Sequence, residues 1–461
     1  MAIVRTLSQI VKMIPGSRLV GNDLSINGVS TDSRGDLNGK LFIPIIGERF
    51  DAHEFLPQAI ENGASAILCS KKYANAPTNT SVILVEDTLE ALQVLSKSYL
   101  KEWNGKIVGI TGSNGKTSTK DILTSILSAK YKVHKTQGNF NNHIGLPLTV
   151  LLMDEDTEVA VLEMGMSDFG EIEFLSKLAE PDAAIITNIG ESHMQELGSR
   201  AGIAKAKLEI ACGLSKEGLL VINGDEPLLL DGTKNQQSSY TIETFGFNEQ
   251  NDFYPTLIEM NESGSEFEIN KSNNVRFKLS VLGKHNISNT LAAIAVARKF
   301  SLTWEEIQLG MQNLEMTKMR MELLKTKNGL TIINDAYNAS VTSMKAALLF
   351  AAELTGYKRK FVIFGDMLEL GDQEIAFHEE IGEEVVRLQF DYLYTYGSLS
   401  KFAAVSAFEQ MDSSNVKSFD DKNNLIDVLK QEVKPNDLVL VKASRGMKLE
   451  EVVNALLETS E

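Results

Sequence analysis

Cysteine and long apolar runs are scarce in this chain, and each scarcity excludes a class of protein. Cys69 and Cys212 are its only two cysteines, too few for a disulfide framework or a zinc cluster, so we expect a reducing compartment. No stretch approaches about 18 consecutive apolar residues, which predicts that no helix spans a membrane. Near the start, Arg5, Ser8 and Lys12 interrupt any signal-peptide core. These features indicate a cytoplasmic protein.

Basic residues are also in short supply. The 45 lysines and arginines are outnumbered by 62 acidic residues, which gives a net charge of −17. A general nucleic-acid-binding or membrane-surface protein has a basic surface, so neither kind of partner is expected. An acidic protein that binds polyphosphate must concentrate its positive groups locally. Single basic residues within motifs are therefore informative.

The alternation of strand-like and helical runs predicts an α/β fold in three domains, over residues 1–102, 103–316 and 317–461. The first is predicted to be mixed α/β, with Pro44 placing the strand Leu41–Ile46 at a sheet edge. Continuous apolar runs in the second suit strands buried on both faces of a parallel sheet. The third repeats the alternation as a Rossmann-like, doubly wound unit. The strands predicted for these two domains include Lys106–Ile110, Val159–Leu162, Ala183–Ile189, Gly218–Ile222, Leu330–Ile333, Lys360–Phe364, Tyr392–Tyr396 and Asp437–Val441.

The most informative motif is a glycine-rich loop that links a predicted strand to a predicted helix. Gly109-Ile-Thr-Gly112-Ser-Asn-Gly115-Lys116-Thr117 precedes a helical pattern over Thr119–Ala129. Glycines let backbone N–H groups face phosphates, and the start of a helix adds a positive dipole. We expect Lys116 to reach the outer phosphates and the Thr117 hydroxyl to bind Mg²⁺. The predicted ATP-binding loop comprises Gly112, Ser113, Asn114, Gly115, Lys116, Thr117 and Ser118.

Two residues that follow neighbouring strands are candidate metal ligands. Glu163 ends a predicted strand, and a carboxylate there suits Mg²⁺, which prefers oxygen ligands; alternatively it caps a nearby helix. His193 lies just beyond the next strand. Imidazole is an unusual ligand of magnesium, so a loop histidine without a ligand is the alternative.

A lysine on the next predicted helix allows a less common chemistry. Lys207 lies two residues from Lys205, so it points to a different face, toward apolar neighbours. A buried lysine can lose its proton, and the neutral amine can react with carbon dioxide to give a carbamate. That modification would supply oxygen ligands for Mg²⁺. The alternative is a solvated helix face on which Lys205 pairs with Glu209.

Two asparagine-rich motifs are candidate ligand contacts. Asn139, Asn141 and Asn142 can supply donors and acceptors to a polar substrate, or can simply hydrogen-bond within their own loop. Asn286 and Asn289 are one helical turn apart, so one can cap the helix while the other contacts a nucleotide base. An equally acceptable interpretation is that both asparagines cap the helix or lie in a loop and contact no ligand.

The order of these motifs resembles the Mur ligase family along nearly the whole chain, and within it the branch that adds D-alanyl-D-alanine. Thr31–Arg34 and Gly47–Phe55 resemble the uridine-nucleotide-binding domain of that branch. In the third domain, Met319–Glu322 resembles the hinge and Ile333–Ala339 the ATP-contacting turn. The branch continues that turn with Asn-Pro, where this chain has Ser340-Val341.

The resemblance assigns roles to individual residues. It implies that Lys116, Lys207 and His193 are catalytic, and that two Mg²⁺ ions are held by Thr117, Glu163, His193 and the carbamate of Lys207. It adds Asn286, Asn289, Arg320 and Asp335 to the ATP-binding set. The implied substrate-binding residues are Asp32, Ser33, Arg34, Asn139, Asn141, Asn142 and Asn338.

The implied activity is an ATP-dependent ligation in which UDP-N-acetylmuramoyl-tripeptide becomes an acyl phosphate and is attacked by the amine of D-alanyl-D-alanine. We expect the enzyme to act as a monomer. One alternative is a sibling ligase that adds a single amino acid, or a folylpolyglutamate-type enzyme, although the motifs Asp335–Ala339 and Gly365–Gly371 argue against both. Another is a phosphate-loop ATPase that regulates a partner and has no ligase activity.

Overall fold

Short apolar runs form the central strands of three sheets, one in each third of the chain. The computed structural model describes residues 3–47, 50–73, 75–234, 239–261 and 264–458. Glu48 and Arg49 of the uridine-type motif lie outside the described residues. Within the described ranges, no helix is both long and apolar enough to cross a membrane.

The first unit is a small mixed sheet covered by helices. Its elements are β1 (Arg5–Thr6), α1 (Leu7–Met13), β2 (Arg18–Val20), β3 (Ser25–Ile26), β4 (Val29–Ser30), β5 (Leu41–Phe42), α2 (Leu56–Glu61), β6 (Ala66–Ser70), β7 (Ser81–Val85) and α3 (Thr88–Glu102). The main sheet has the order β2-β7-β6-β5-β4 and is parallel except for β2. β1 and β3 form a separate antiparallel pair.

The predicted edge strand Leu41–Ile46 is wrong in both length and position. Strand β5 covers only Leu41–Phe42 and pairs with a strand on each side. Pro44 lies just beyond it, where its missing N–H removes no ladder hydrogen bond. Proline therefore ends this interior strand instead of marking an edge.

The second unit is built on a six-stranded, fully parallel sheet. Its elements are β8 (Lys106–Thr111), α4 (Lys116–Leu127), β9 (Val133–Lys135), α5 (Gly145–Leu151), β10 (Val159–Glu163), α6 (Glu171–Ala179), β11 (Ala183–Ile186), α7 (Met194–Leu197), α8 (Arg200–Leu208), β12 (Leu219–Asn223), α9 (Pro227–Thr233), β13 (Thr241–Phe245), β14 (Pro255–Asn261), β15 (Gly264–Ile269), β16 (Phe277–Leu279), α10 (Lys284–Lys299) and α11 (Trp304–Met311). The order β13-β12-β11-β8-β10-β9 puts β8 between β10 and β11. The loops after these three strands therefore meet at one edge of the sheet. Strands β14, β15 and β16 form a separate antiparallel sheet.

The third unit has helices on both faces of a second six-stranded sheet. Its elements are β17 (Glu322–Lys325), β18 (Thr331–Asp335), α12 (Val341–Glu353), β19 (Lys360–Gly365), α13 (Glu374–Arg387), β20 (Tyr392–Tyr396), α14 (Lys401–Phe408), β21 (Val416–Phe419), α15 (Lys422–Glu432), β22 (Leu438–Lys442) and α16 (Glu450–Glu458). The order is β17-β18-β22-β19-β20-β21, with only β17 antiparallel. The expected three-domain α/β architecture is confirmed, while the exact boundaries at residues 102 and 316 stay predictions.

The first two units share a hydrophobic core, whereas the third unit packs mainly around other cores. One hydrophobic core runs from Ile3 through α3 to the helices on one face of the central sheet, and includes Ile203 and Ile210. The opposite face of that sheet packs on α10 and α11. The C-terminal sheet packs in two further cores, one of which also includes Leu282 of the second unit. The chain enters the third unit at Thr317, whose N–H and hydroxyl both donate to the buried carboxylate of Asp121 on α4, at 2.9 and 2.7 Å.

Candidate active site

The glycine-rich loop connects β8 to α4 and is enclosed by neighbouring segments. Gly112 has φ +148°, and a Cβ there would lie 1.8 Å from the hydroxyl of Thr187. Gly115 has φ +80°, and a Cβ would lie 2.7 Å from Oδ1 of Asn289. The close approach and the backbone conformation both require glycine. α4 begins at Lys116, three residues before its predicted start, so its first N–H groups border the loop.

Two adjoining cavities meet at this loop. The smaller, of about 260 Å³, lies between the loop, α10 and the C-terminal unit. The larger, of about 580 Å³, extends toward α8 and the loop after β19. Lys116, Asn141, Tyr337 and Asn338 line both cavities. A ligand in one cavity is therefore adjacent to a ligand in the other.

Lys116 occupies the junction between the cavities. Its Nζ donates to the backbone carbonyl of Gly112 at 2.7 Å. Burial lowers the pKa of Lys116, and nearby Arg320 lowers it further, while the carboxylate of Glu163 opposes both effects. An anionic phosphate at the junction would raise the pKa of Lys116 and so favour its ammonium form.

Thr117 and Glu163 form an oxygen-rich pair beside the loop. The Thr117 hydroxyl donates to Oε2 of Glu163 at 2.9 Å, and Nδ2 of Asn141 donates to Oε1 at 3.0 Å. The carboxylate is buried and receives no helix N–H from the described residues, so the helix-cap alternative for Glu163 is wrong. A hydroxyl and a carboxylate on fixed elements are the hard oxygen donors that Mg²⁺ prefers, so these residues fit that ion.

Lys207 lies inside the protein, and its predicted burial is confirmed. The residue is 2% exposed and lines the larger cavity. Desolvation lowers its pKa well below the ordinary lysine value, with repulsion from Lys116 adding to the effect. No carboxylate within the described ranges forms an ion pair with it. A neutral amine in this position fits carbamate formation, whereas an ammonium ion would be buried without a counter-charge.

The alternative interpretation, in which Lys205 and Glu209 form a solvated ion pair, is wrong. The Glu209 carboxylate instead accepts the backbone N–H groups of Gly170 and Glu173, at 3.0 and 3.3 Å. The Lys205 ammonium lies 5.7 Å from the centre of the Phe169 ring. The two side chains therefore make different contacts. Of the residues of α8, Lys207 lines the larger cavity.

His193 joins the central and C-terminal units. Its φ is +64°, and its Nδ1 lies 3.0 Å from Oε2 of Glu369. The histidine and Lys207 line the same cavity. In the part of the chain that the structure describes, no cluster of three His, Cys, Asp or Glu side chains could hold a metal. The predicted magnesium sites therefore need the Thr117 hydroxyl and the carbamate of Lys207 as ligands, in addition to Glu163 and His193.

The two asparagines of α10 do not cap it. The helix begins at Lys284 after Gly283, so Asn286 and Asn289 lie in its first two turns. Nδ2 of Asn286 donates to the carbonyl of Leu282 at 2.8 Å, and Nδ2 of Asn289 donates to Oδ1 of Asn286 at 3.2 Å. The capping interpretation is wrong. Both side chains line the smaller cavity, where the predicted nucleotide contact remains open to them.

The C-terminal unit closes the smaller cavity with charged groups. Arg320 stacks on Tyr337, with 4.2 Å between the guanidinium carbon and the ring centre, and its Nε is buried without a partner among the described residues. Asp335 forms an ion pair with Lys442 at 2.5 Å and accepts the N–H of Met321 at 3.0 Å. Lys442 also donates to the carbonyl of Asn338 at 2.9 Å. The Nε–H of Arg320 is therefore a hydrogen-bond donor that lacks an acceptor within the described ranges, in a residue that lines the smaller cavity.

The predicted substrate-binding residues divide into two groups. Asn139, Asn141 and Asn142 line the larger cavity, and Oδ1 of Asn142 also accepts the N–H of Gly145 at 2.8 Å within its own loop. The first-unit residues Asp32, Ser33 and Arg34 line neither cavity. Arg34 is paired with Asp32 at 2.7 Å and lowers the pKa of that carboxyl to about 2. The Ser33 hydroxyl donates to Gln58 at 2.8 Å. Their binding role stays a prediction.

Sequence reasoning missed several residues that the fold brings to the site. They are Asn188, Tyr337, Glu369 and Lys442. Asn188 Oδ1 accepts the N–H of Asn114 at 3.0 Å. Glu369 lies in the motif Gly365–Gly371 and Lys442 is the last residue of β22, and neither residue had a predicted role. Only their contacts with His193 and Asp335 give them one.

This arrangement defines a class of protein. A phosphate loop at the carboxyl end of a parallel sheet, facing a doubly wound unit across two joined cavities, is a nucleotide site assembled between two domains. The chain belongs to the Mur ligase family. It matches the Mur ligase middle domain over residues 110–297, the Mur ligase glutamate ligase domain over 319–445 and the Mur ligase catalytic domain over 25–100.

Individual relatives extend over the full chain. The chain is 50% identical to the UDP-N-acetylmuramoyl-tripeptide–D-alanyl-D-alanine ligase of Bacillus subtilis, covering 99% of each. The crystal structure of MurF from Acinetobacter baumannii superposes with a TM-score of 0.89 at 29% identity, covering 99% of each chain. The MurF ligase of Thermotoga maritima in complex with ADP gives a TM-score of 0.82 at 30% identity, covering 94% of this chain and 97% of that one.

Proposed function

We propose that this protein uses ATP to join D-alanyl-D-alanine to UDP-N-acetylmuramoyl-tripeptide, completing a UDP-muramyl-pentapeptide. The observation that carries the proposal is the position of Lys116 at the junction of the two cavities. A phosphate donor in one cavity and a carboxylate acceptor in the other would meet beside its ammonium group. The name of the B. subtilis relative supplies the two substrates, and the ADP complex of the T. maritima ligase supports the nucleotide.

The first chemical step activates a poor electrophile. An oxygen of the tripeptide's terminal carboxylate attacks the γ-phosphorus, the bond to the β–γ bridging oxygen breaks, and ADP leaves. Lys116 and the loop N–H groups stabilise the charge that develops on the transferred phosphoryl group. Arg320, with an unpaired buried Nε, contributes a further positive group from the C-terminal unit.

The second step forms the amide. The free amine of D-alanyl-D-alanine attacks the acyl-phosphate carbon and loses a proton, and the tetrahedral intermediate then expels inorganic phosphate. Because the C-terminal unit lines both cavities, its closure excludes water that would hydrolyse the acyl phosphate. Positioning of the three reactants between two domains accounts for much of the catalysis.

Magnesium and a modified lysine complete the proposed site. Thr117 and Glu163 would hold one Mg²⁺, and His193 with the carbamate of Lys207 would hold a second. When bound, the ions reduce the repulsion between the polyphosphate and the acceptor carboxylate. The carbamate forms when the neutral Lys207 amine attacks carbon dioxide and releases a proton. Since ATP and UDP-linked sugars are cytoplasmic metabolites, we assign the reaction to the cytoplasm. The proposed enzyme acts as a monomer.

The direct test is phosphate release from ATP and Mg²⁺ with each substrate omitted in turn. The proposal predicts release only when UDP-muramyl-tripeptide and D-alanyl-D-alanine are both present. Release driven by a single amino acid on a shorter muramyl peptide would instead assign a sibling activity. Turnover that ignores every muramyl peptide would contradict a ligase and favour a regulatory ATPase.

A further inference from the structure

The N-terminus of α12 contacts the phosphate loop through Ser340. The Ser340 hydroxyl donates to Oδ1 of Asn114 at 3.1 Å, across the boundary between the two domains. Ser340 is 1% exposed, so water does not compete for this bond. Ser340 is also a point where the chain departs from the Asn-Pro pattern of the ligase branch that it resembles.

The hydrogen bonds around Ser340 leave its hydroxyl proton free to donate. As N-cap of α12, its Oγ accepts the N–H of Ser343 at 3.3 Å. The Ser343 hydroxyl donates to the Ser340 carbonyl at 3.0 Å and so does not supply a proton to Ser340 Oγ. The single hydroxyl proton of Ser340 is therefore available to donate, and two acceptors lie at the same distance, Oδ1 of Asn114 and Oγ of Ser343, each at 3.1 Å. Donation to Asn114 requires that its amide oxygen, and not its Nδ2, face α12.

Hydrogen bonds to Thr187 and Asn188 hold the backbone of Asn114 in place. Its N–H donates to Asn188 Oδ1 at 3.0 Å, and its carbonyl accepts the Thr187 hydroxyl at 2.5 Å and Asn188 Nδ2 at 3.1 Å. The side-chain Nδ2 is buried and has no hydrogen-bond partner among the described residues. Asn114 lines the smaller cavity. A buried N–H without an acceptor is unfavourable until a ligand provides one.

We propose that Ser340 is a positioning residue, which orients the Asn114 amide so that Nδ2 donates to a phosphate oxygen of the nucleotide. The inference rests on the proposed nucleotide site and extends it to a residue outside the loop. It couples the two domains, because docking of α12 orders a donor for the phosphates. Conversely, a bound phosphate holds the amide in the orientation that Ser340 requires.

Five variants of the full chain separate this role from helix capping. Ser340→Thr keeps both the cap and the donor. Ser340→Asp keeps the cap, since aspartate is a good N-cap residue, but has no proton to give to Oδ1. Ser340→Ala loses both functions. Asn114→Ala, alone and combined with Ser340→Asp, completes a double-mutant cycle.

The measurement is the dissociation constant of ADP with Mg²⁺ by calorimetry, together with the melting temperature of each variant. We expect Ser340→Thr to bind within about twofold of the unchanged protein, and Ser340→Asp to bind about five- to tenfold more weakly at an unchanged melting temperature. With Ala at position 114, adding Ser340→Asp should change affinity by less than about twofold.

Binding by Ser340→Asp equal to that of the unchanged protein, or fully additive effects in the cycle, would overturn the inference. A loss confined to Ser340→Ala, with a lower melting temperature, would leave Ser340 as a helix cap only and would also overturn it. Failure of the unchanged protein to bind ADP would contradict the proposed function itself, and the inference with it.

Discussion

The hydroxyl of Thr117, in the first turn of α4, donates to Oε2 of Glu163 at the end of β10, at 2.9 Å. The bond joins the phosphate loop to the neighbouring strand through two oxygen ligands of the kind that magnesium prefers. Metal binding has to replace this hydrogen bond. The pair is therefore a direct probe of the proposed metal position.

Replacing Thr117 by valine should remove one ligand without changing the shape of the side chain. We expect kcat/KM to fall by about 10²-fold and the Mg²⁺ concentration for half-maximal rate to rise, whereas Thr117→Ser retains most activity. Thr124→Val is the matched control on the same helix, because the buried Thr124 hydroxyl has no partner among the described residues. Equal Mg²⁺ dependence in Thr117→Val and the control would rule out Thr117 as a ligand.

Lys207→Met should abolish catalysis, while Lys205→Met should not. Lys207 is buried in the larger cavity, and Lys205 is exposed on the same helix. We expect a loss of about 10²-fold or more for Lys207→Met, since the carbamate that would hold the second Mg²⁺ is removed. After incubation with ¹³C-bicarbonate, ¹³C NMR should show a carbamate in the unchanged protein and in Lys205→Met, and none in Lys207→Met.

The pH dependence of this carbamate has a definite sign. Only the neutral amine reacts with carbon dioxide, and burial lowers the pKa of Lys207, which keeps the amine neutral to lower pH than in an exposed lysine. Acidification through that lowered pKa should protonate the amine, release carbon dioxide and reduce activity. A carbamate signal that persists unchanged after acidification would contradict the assignment.

The ion pair between Asp335 and Lys442 should stabilise the C-terminal unit. Asp335 and Lys442 have side-chain exposures of 13% and 3%. Lys442→Met leaves a largely buried carboxylate without a counter-charge, so local stability should fall by about 3 kcal/mol or more. Hydrogen exchange of the β18 and β22 amides would measure this loss.

Two further variants test whether the lost charge pair is the cause. Lys430→Met, an exposed lysine on α15, should leave exchange of these strands unchanged. Adding Asp335→Asn to Lys442→Met should restore part of the protection, because the unpaired charge is gone. If the double variant exchanges faster than Lys442→Met alone, the charge explanation fails.

Buried His378 should make stability depend on pH. Its Nε2 accepts the N–H of Met367 at 3.0 Å, and its Nδ1 donates to the carbonyl of Glu374 at 2.6 Å, so the folded ring is neutral. Burial lowers the pKa of His378 below the ordinary value near 6.5. The unfolded chain then binds the proton more readily, so this contribution is fully present above about pH 6.5 and decreases as pH falls toward the lowered folded value.

The melting temperature between about pH 7 and 5 measures this effect. His378→Gln should have a lower melting temperature at neutral pH but a shallower decline on acidification. The exposed His143→Gln should follow the unchanged protein. Equal slopes for all three proteins would show that His378 does not carry the titration.

Much of the fold was predictable because buried parallel strands are continuous apolar runs. The strand Tyr392–Tyr396 has the predicted bounds. The antiparallel sheet of β14, β15 and β16 was not predicted. Its first strand, Pro255–Asn261, is only partly buried, so it lacks the continuous apolar run of the central strands.

The candidate site was predictable where one local segment forms it. The phosphate loop, with Lys116 and Thr117, is such a segment. Ser340 and Glu369 could not be assigned in the same way, because their contacts with Asn114 and His193 join residues more than 170 positions apart. Only the docking of the third unit on the second creates those contacts.

The most direct test of the central claim follows the oxygen atoms. UDP-muramyl-tripeptide labelled with ¹⁸O in its terminal carboxylate is incubated with ATP, Mg²⁺ and D-alanyl-D-alanine, and the phosphate is analysed by mass spectrometry. If an acyl phosphate forms, one carboxylate oxygen passes into each inorganic phosphate as the amide is made. Phosphate without ¹⁸O, released alongside the pentapeptide product, would contradict this account.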